Sequence, residues 1–254
     1  DTTHLTTTWS EDLDGGTVNG SGNEFTVTGY AVSAASETAA GVVTLMVATM
    51  PTDATPLVTF TSATFKDLPG NNAPSPQSKT AVDGVAPTLS AVHIESDNDK
   101  DGTQWAIEDD TVTVSFTASE QLHTNTAVTI GNESAVVTDL GGNSWTATLL
   151  MDGDDPEGIL TFLITFEDIA TPTHNLGTSD STVDDASSVT YDRTAPSVDA
   201  GTSPQYINIA VSSINQNATV TDGGSGVDAA EFQWTQTSGP LGGATATPDS
   251  TEDT

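Results

Sequence analysis

Apolar and polar residues alternate along the middle of this chain. In "TVTVSFTA" (111–118), Val112, Val114 and Phe116 fall on one face and Thr and Ser on the other. Side chains of a strand repeat every two residues, so this pattern predicts a half-buried strand. The same reading predicts strands at "LSAVHIE" (89–95), "AVTI" (127–130), "SAVV" (134–137), "SWTATLL" (144–150), "GILTFLITF" (158–166) and "SSVTY" (187–191). Trp145, Ala147 and Leu149 point inward on one of them; Leu160, Phe162, Ile164 and Phe166 do so on another. Seven short strands in about 105 residues, separated by Gly, Asn, Asp and Pro, predict an immunoglobulin-like sandwich.

Helix signals are weak. Roughly one residue in six is Thr, a β-branched residue that favours half-buried strands. The small-residue run "AVSAASETAAG" (31–41) is too short, and too flanked by strand signals, to read as a helix. The fold class expected is all-β, a tandem array of immunoglobulin-like β-sandwich modules.

Internal similarity sets the expected boundaries. "FKDLPGN" (65–71) matches "FEDIATP" (166–172), and "LTTTWSEDL" (5–13) matches "VTVSFTASEQL" (112–122), with Trp9 in the place of Phe116. After each copy comes an Ala-Pro junction, at Ala86-Pro87 and Ala195-Pro196. Proline fixes the backbone and removes a donor, so each junction reads as a short, stiff linker. Three modules follow: 1–86, without the opening strand that 89–95 provides in the second; 87–195, complete; and 196–254, with strands near "INIAV", "NATVT" and "EFQWTQ" only. Incomplete sandwiches expose strand edges, so the expected partners are neighbouring modules, of the same chain or of another copy.

Charge narrows the function classes. The 254 residues hold 36 Asp and Glu against 4 Lys and Arg, a formal net charge of −32. Phosphate recognition needs a basic surface, which argues against nucleic acid, and anionic lipid is disfavoured for the same reason. No stretch approaches the roughly 18 apolar residues of a membrane helix. There is no Cys, so neither disulfides nor thiolate chemistry is available. Three Asn-x-Ser/Thr sequons, at Asn19, Asn132 and Asn217, match what chance gives in a chain so rich in Ser and Thr. Divalent cations are the partners such a surface calls for. The zinc-protease, nucleophile-elbow, phosphate-loop and dinucleotide motifs are all missing, which predicts a non-enzymatic role.

One stretch carries possible chemistry. From Asp97 the order D-N-D-K-D-G-T-Q-W-A-I-E satisfies the calcium-loop pattern D-x-[DN]-x-[DN]-G-x5-E. Ca²⁺ takes six to eight oxygens, glycine permits the sharp turn, and a Glu at the twelfth position closes the shell. Asp97, Asp99 and Asp101 would give carboxylates, Thr103 its carbonyl and Glu108 the closing pair, with Asp109 or Asp110 as alternatives to Glu108. Strand patterns flank the loop, so this is a calcium-type loop outside the usual helix-loop-helix frame. The competing reading is a solvated acidic hairpin. "MDGDDPEGI" (151–159), with Asp152, Asp154, Asp155 and Glu157, is a weaker candidate, and "DGGSG" with Asp222 and Asp228 is weaker still. Trp9, Trp145 and Trp234 are expected in cores, and Trp105 as an exposed aromatic. His4, His93, His123 and His174 share no metal-binding spacing.

The two repeats resemble the tandem immunoglobulin-like repeats of prokaryotic cell-surface proteins, such as S-layer proteins and giant adhesins. The likeness rests on "WSEDLDGGTVNGSGNEFTVTG", "ATFKDLPGN" and "VDGVAPTLS" in residues 9–90, and on the corresponding course of residues 109–196. Residues 197–240, with "VTDGGSGVDAAEFQWTQTSGP", resemble the front half of a polycystic-kidney-disease-type domain. In the second repeat "TPTHN" replaces the usual Ala-Gly-Asn after "DIA". The resemblance implies an extracellular structural segment, calcium-stabilised and self-associating. It also fits the stalk of an adhesin, or accessory modules of a secreted hydrolase.

Overall fold

A computed structural model describes residues 2–61, 64–98, 103–199 and 219–222. The expectations for Asp99, Asp101, Gly102, Asn217, Asp228, Trp234 and the strands near "INIAV" and "EFQWTQ" lie outside the described residues. No α-helix occurs among the described residues; the chain is all-β, with one 3₁₀ turn at Gly15–Thr17. It divides into two compact units. One comprises Asp1–Glu95, Thr113–Leu149 and Thr161–Ser187, the other Ser96–Val112, Leu150–Leu160 and Ser188–Thr254.

The first unit opens with six strands: β1 (His4–Thr8), β2 (Phe25–Val27), β3 (Val32–Ala39), β4 (Val42–Val47), β5 (Leu57–Phe60) and β6 (Gln77–Thr80). They form two antiparallel sheets, ordered β1-β4-β3 and β2-β5-β6. The run "AVSAASETAAG" supplies β3 and its turn, as a strand. Val43 and Leu45 of β4 and Ala35 of β3 are buried together with Phe25, Val27 and Phe60 of the other sheet. That is a sandwich, one apolar face from each sheet closed on the other. Trp9 packs half-buried against this core, its ring edge-on to Phe60 at 4.9 Å.

The remaining strands, in chain order, are β7 (Leu89–Ser96), β8 (Trp105–Ala106), β9 (Thr111–Ala118), β10 (Ala127–Ile130), β11 (Glu133–Ser134), β12 (Val136–Gly141), β13 (Ser144–Leu150), β14 (Gly158–Ile159), β15 (Phe162–Thr165), β16 (Thr190–Tyr191), β17 (Ser197–Asp199) and β18 (Thr219–Thr221). Sheets β12-β13-β9-β7 and β11-β10-β15 follow in the first unit. Alternation is strict along β9, where Val112, Val114, Phe116 and Ala118 are buried. Trp145 and Ala147 are buried as expected, while Leu149 is only half-buried. The second unit holds sheets β14-β16-β8, with β16 parallel to β8, and β17-β18. Tyr191 is buried there, and its hydroxyl donates to the Asp152 carbonyl at 2.6 Å. No described sheet mixes strands from the two sides of Ala86-Pro87 or of Ala195-Pro196.

Three expected strands are broken. "SAVV" splits into β11, on β10, and β12, on β13. Gly131 and Asn132, both at positive φ, turn the chain straight back onto β10 before it crosses to the other sheet. "GILTFLITF" splits at Leu160, which is buried and donates to the Val189 carbonyl, so its two ends serve different sheets. "SSVTY" pairs only at Thr190–Tyr191.

The sequence repeat is a structural repeat. Order β1-β4-β3 matches β9-β13-β12, and β2-β5 matches β10-β15. Leu13 bridges Asp67 as Leu122 bridges Asp168. Asn71 gives its backbone N–H and its side-chain amide to the two Asp67 oxygens, at 2.6 and 2.7 Å. Asn175 does the same for Asp168, at 2.7 and 2.8 Å. The altered "TPTHN" therefore keeps the clamp, with Asn175 reaching back over a longer loop. One equivalence is corrected. Trp9 N–H donates to Gly41 O at 2.8 Å, and Ala118 N–H to Asn143 O at 2.9 Å. Trp9 thus corresponds to Ala118, not Phe116, and Glu11 to Glu120.

The β3–β4 hairpin depends on Gly41. Its φ is +68°, and a Cβ there would stand 2.9 Å from the Glu11 carbonyl oxygen. Gly41→Ala therefore meets both backbone strain and a clash with backbone, and is expected to cost about 1–3 kcal/mol. Urea denaturation reads this as a lower midpoint at unchanged slope; an unchanged midpoint would contradict it.

Candidate metal centres

The predicted calcium loop lies in the second unit, and its described residues act first as turn-makers. Asp97 Oδ1 accepts the Thr111 N–H at 2.6 Å, and the Asp97 N–H donates to Thr111 O at 3.1 Å. The Thr103 carbonyl accepts from Ser96 N–H at 2.9 Å. Asp110 Oδ2 accepts from Asn98 Nδ2 at 2.6 Å and Ile107 N–H at 2.7 Å. Glu108 and Asp109 are exposed, with Asp109 at φ +75°. Trp105 is half-buried on β8, paired with Thr190, rather than exposed.

The second acidic turn comes to the same place. Asp109 N–H donates to Met151 O and Met151 N–H to Asp110 O, joining the two loops. A Cβ on Gly153 would stand 3.8 Å from Glu108 Oε1. Asp155 Oδ2 accepts the Asp152 N–H at 2.7 Å, while its Oδ1 is buried without a hydrogen-bond partner. Asp154 and Glu157 are exposed. Arg193 engages Glu157 through its backbone N–H at 3.1 Å and its side chain at 3.7 Å, and its guanidinium also donates to Gly153 O. Asp222, after β18, is half-buried.

Two further groupings occur in the first unit. Asp83, Glu120 and Asp168 each place one carboxylate oxygen within 4.8 Å of the others. Asp83 lies between β6 and β7, Glu120 just after β9, and Asp168 after β15. Glu120 and Asp168 are buried, at 3% and 1% exposure, and Asp83 is half-buried. Asp168 Oδ1 accepts from Ala170 N–H at 3.0 Å and Asn175 N–H at 2.7 Å. The Asn175 side-chain amide bridges Asp168 Oδ2 and the Asp83 carbonyl, at 2.8 and 3.3 Å. Asp83 Oδ1 accepts the Val85 N–H at 2.9 Å. Glu120 Oε1 is buried with no partner. Burial first, and then the charges of Asp83 and Asp168, push the Glu120 carboxyl up to about 7.

His123, Glu167 and His174 form the other grouping. The imidazole ring centroids lie 4.1 Å apart with the planes tilted by 37°, and each Nδ1 approaches Glu167 Oε1, at 3.2 and 3.1 Å. Hydrogen bonds from Asn125 and then His174 hold the Glu167 carboxyl below its ordinary value. Sharing no metal-binding spacing, His123 and His174 read in the sequence as ordinary polar residues; the fold brings the pair together around one carboxylate. No sequence spacing signals it, because the residues meet through the β-bridge of Leu122 with Asp168.

Glu120 was missed for a similar reason. Its local sequence, "SEQL", reads as a polar strand end; only the packing of a distant loop against it makes it a buried acid. Compared with known proteins, the chain matches no family model and no curated protein.

The raised Glu120 value fixes a pH dependence. The folded state holds this proton more tightly than the unfolded chain, whose carboxyl titrates near 4.5. The contribution is fully present below that value and is lost as pH rises through about 7. In calcium-free buffer the wild type should lose stability relative to Glu120→Gln as pH rises from 5 to 8. Urea midpoints of both proteins across that range check it, and parallel profiles would contradict it.

Proposed function

We propose that this chain is a non-enzymatic structural segment of a prokaryotic cell-surface assembly of the S-layer kind. Its modules are immunoglobulin-like, work outside the cell and are stabilised by calcium. The observation that carries this reading is the duplicated frame, with the same sheet orders and the same Asp–Asn clamp in both copies. A unit used twice in series builds length and stiffness, which is what a surface layer requires. The net charge of −32 supports a setting in which cations are plentiful, since like-charged surfaces associate only when cations screen or bridge them.

The calcium in this reading binds the 97–108 loop, through Asp97, Asp99, Asp101, Thr103 and Glu108, with Asp109 alongside. Its support is the motif itself, the lone pairs left on Asp97 and on the Thr103 carbonyl, and the buried, unpartnered Asp155 Oδ1 in the adjoining turn. Self-association through strand edges completes the reading. Among the described residues β1 ends its sheet, whereas its counterpart β9 is flanked by β7. A terminal strand offers its backbone donors and acceptors to another strand.

Two measurements test this. Calorimetric titration of the full chain should show calcium binding at about 10⁻⁴ to 10⁻³ M, the range of extracellular modules. Asp99→Asn with Asp101→Asn should remove the loop's share of the heat, and identical heats from both proteins would sink the loop assignment. Tenfold excess over the dissociation constant should add about 1.4 kcal/mol of stability. Light scattering and electron microscopy in millimolar calcium should show sheets or filaments. A chain that stays monomeric throughout would reject the lattice role.

A further inference from the structure

We infer that Asp83, Glu120 and Asp168 form a second binding site, for Ca²⁺, that fastens the segment between β6 and β7 to the loops following β9 and β15. The inference needs nothing from the proposed surface role and does not involve the 97–108 loop.

Three carboxylates converge here, with an oxygen of each inside a 4.8 Å span. Calcium accepts flexible all-oxygen coordination from carboxylates on separate segments, whereas magnesium demands near-ideal octahedral geometry and gives up its waters reluctantly, so this set suits calcium. Glu120 is the decisive member. It is 97% removed from solvent by its 3% exposure, and its Oε1 has no hydrogen-bond donor. Leaving a buried acceptor unpaired is costly, and more so if it is charged. Among the described residues no Lys, Arg or His forms an ion pair with any of the three. A cation at the centre satisfies the orphan oxygen and offsets the repulsion together.

The surroundings are set for it. Both lone pairs of Asp168 Oδ1 are taken by backbone N–H groups, which fixes the carboxylate and leaves Oδ2 with one pair beyond its bond to Asn175. Asn175 holds Asp168 and the Asp83 backbone in register with a single amide. Neutral, well-hydrogen-bonded side chains that position the ligands are a recurring feature of metal sites. The first repeat supplies an internal comparison. Its equivalent pair is Glu11 and Asp67, and there Glu11 is exposed and Asp67 half-buried. Two solvated carboxylates need no ion, so the site arises where the Asp83 segment closes over the pair.

Calcium titration of the chelator-stripped full chain at pH 7.5, by calorimetry and by thermal unfolding, tests the assignment. The wild type should show a binding event that Glu120→Gln weakens at least tenfold, with the calcium-induced rise in Tm reduced accordingly. Asp83→Asn, whose side chain is only half-buried, should weaken the same event and decides the matter if Glu120→Gln does not fold. Asp99→Asn with Asp101→Asn should retain it, so that loss of the loop site and loss of this one are read separately. Mg²⁺ should bind at least tenfold more weakly than Ca²⁺. Wild-type isotherms in both Glu120→Gln and Asp83→Asn, or equal affinity for the two ions, would overturn the proposal.

Discussion

With 36 acidic side chains against four Lys and Arg, few carboxylates in this chain find a cationic partner, and their lone pairs go to backbone N–H groups instead. Asp14, Asp83, Asp139, Asp152, Asp180 and Asp192 each accept the N–H of the residue two positions on. Such short-range bonds are what make Asp a turn residue. Longer-range versions tie distant segments: Asp184 accepts the Val92 N–H at 2.9 Å, and Asp97 that of Thr111 at 2.6 Å. The strands are held by apolar alternation, but the connections between them are held by carboxylates. These turns thus use, as acceptors, the carboxylates that the sequence carries in excess.

This division of labour explains which features are legible in the sequence. Strands such as β9 and β10 sit where their apolar residues alternate, because burying one face of a strand requires that period. The broken strands are less legible. Whether residues 134–137 form one strand or parts of two depends on the turn at Gly131 and Asn132, where both residues take positive φ. Alternation does not encode that switch. The repeat is legible as a whole but not in detail. Trp9 resembles Phe116 in chemistry, yet it stands where Ala118 stands, because the hydrogen bond to the hairpin turn fixes position and side-chain size does not.

The candidate sites divide along the same line. A linear motif such as 97–108 can be found by reading, because its ligands follow one another along the chain. Of its described members, Asp97 turns out to serve the backbone first, and Asp110, an alternative ligand, serves the turn at Ile107. Asp83, Glu120 and Asp168 follow one another nowhere. They meet because β9 and β15 end beside each other, bridged by Leu122 and Asp168, and because the chain between β6 and β7 passes over them. Their residue types are common in this chain, so composition could not single them out.

The exception to the carboxylate rule is what gives Glu120 its significance. Most of the acids discussed either face water or accept N–H groups, and so carry their charge at little cost. Glu120 does neither at Oε1, and two more carboxylates stand against it. A chain that satisfies Asp168 with three hydrogen bonds, and Asp83 with one to its carboxylate, had donors of the same kind to offer a neighbouring oxygen. An unfilled acceptor within such a network is costly, and a bound proton or cation would each relieve it. Proton and cation are the two candidates, and they act in opposite directions on the joint. A proton relieves the repulsion and leaves the segments joined only by the Asn175 amide and the Leu122–Asp168 bridge. A divalent ion would draw them to one point, and the stiffness of the connection between β6 and β7 would then follow the calcium around it.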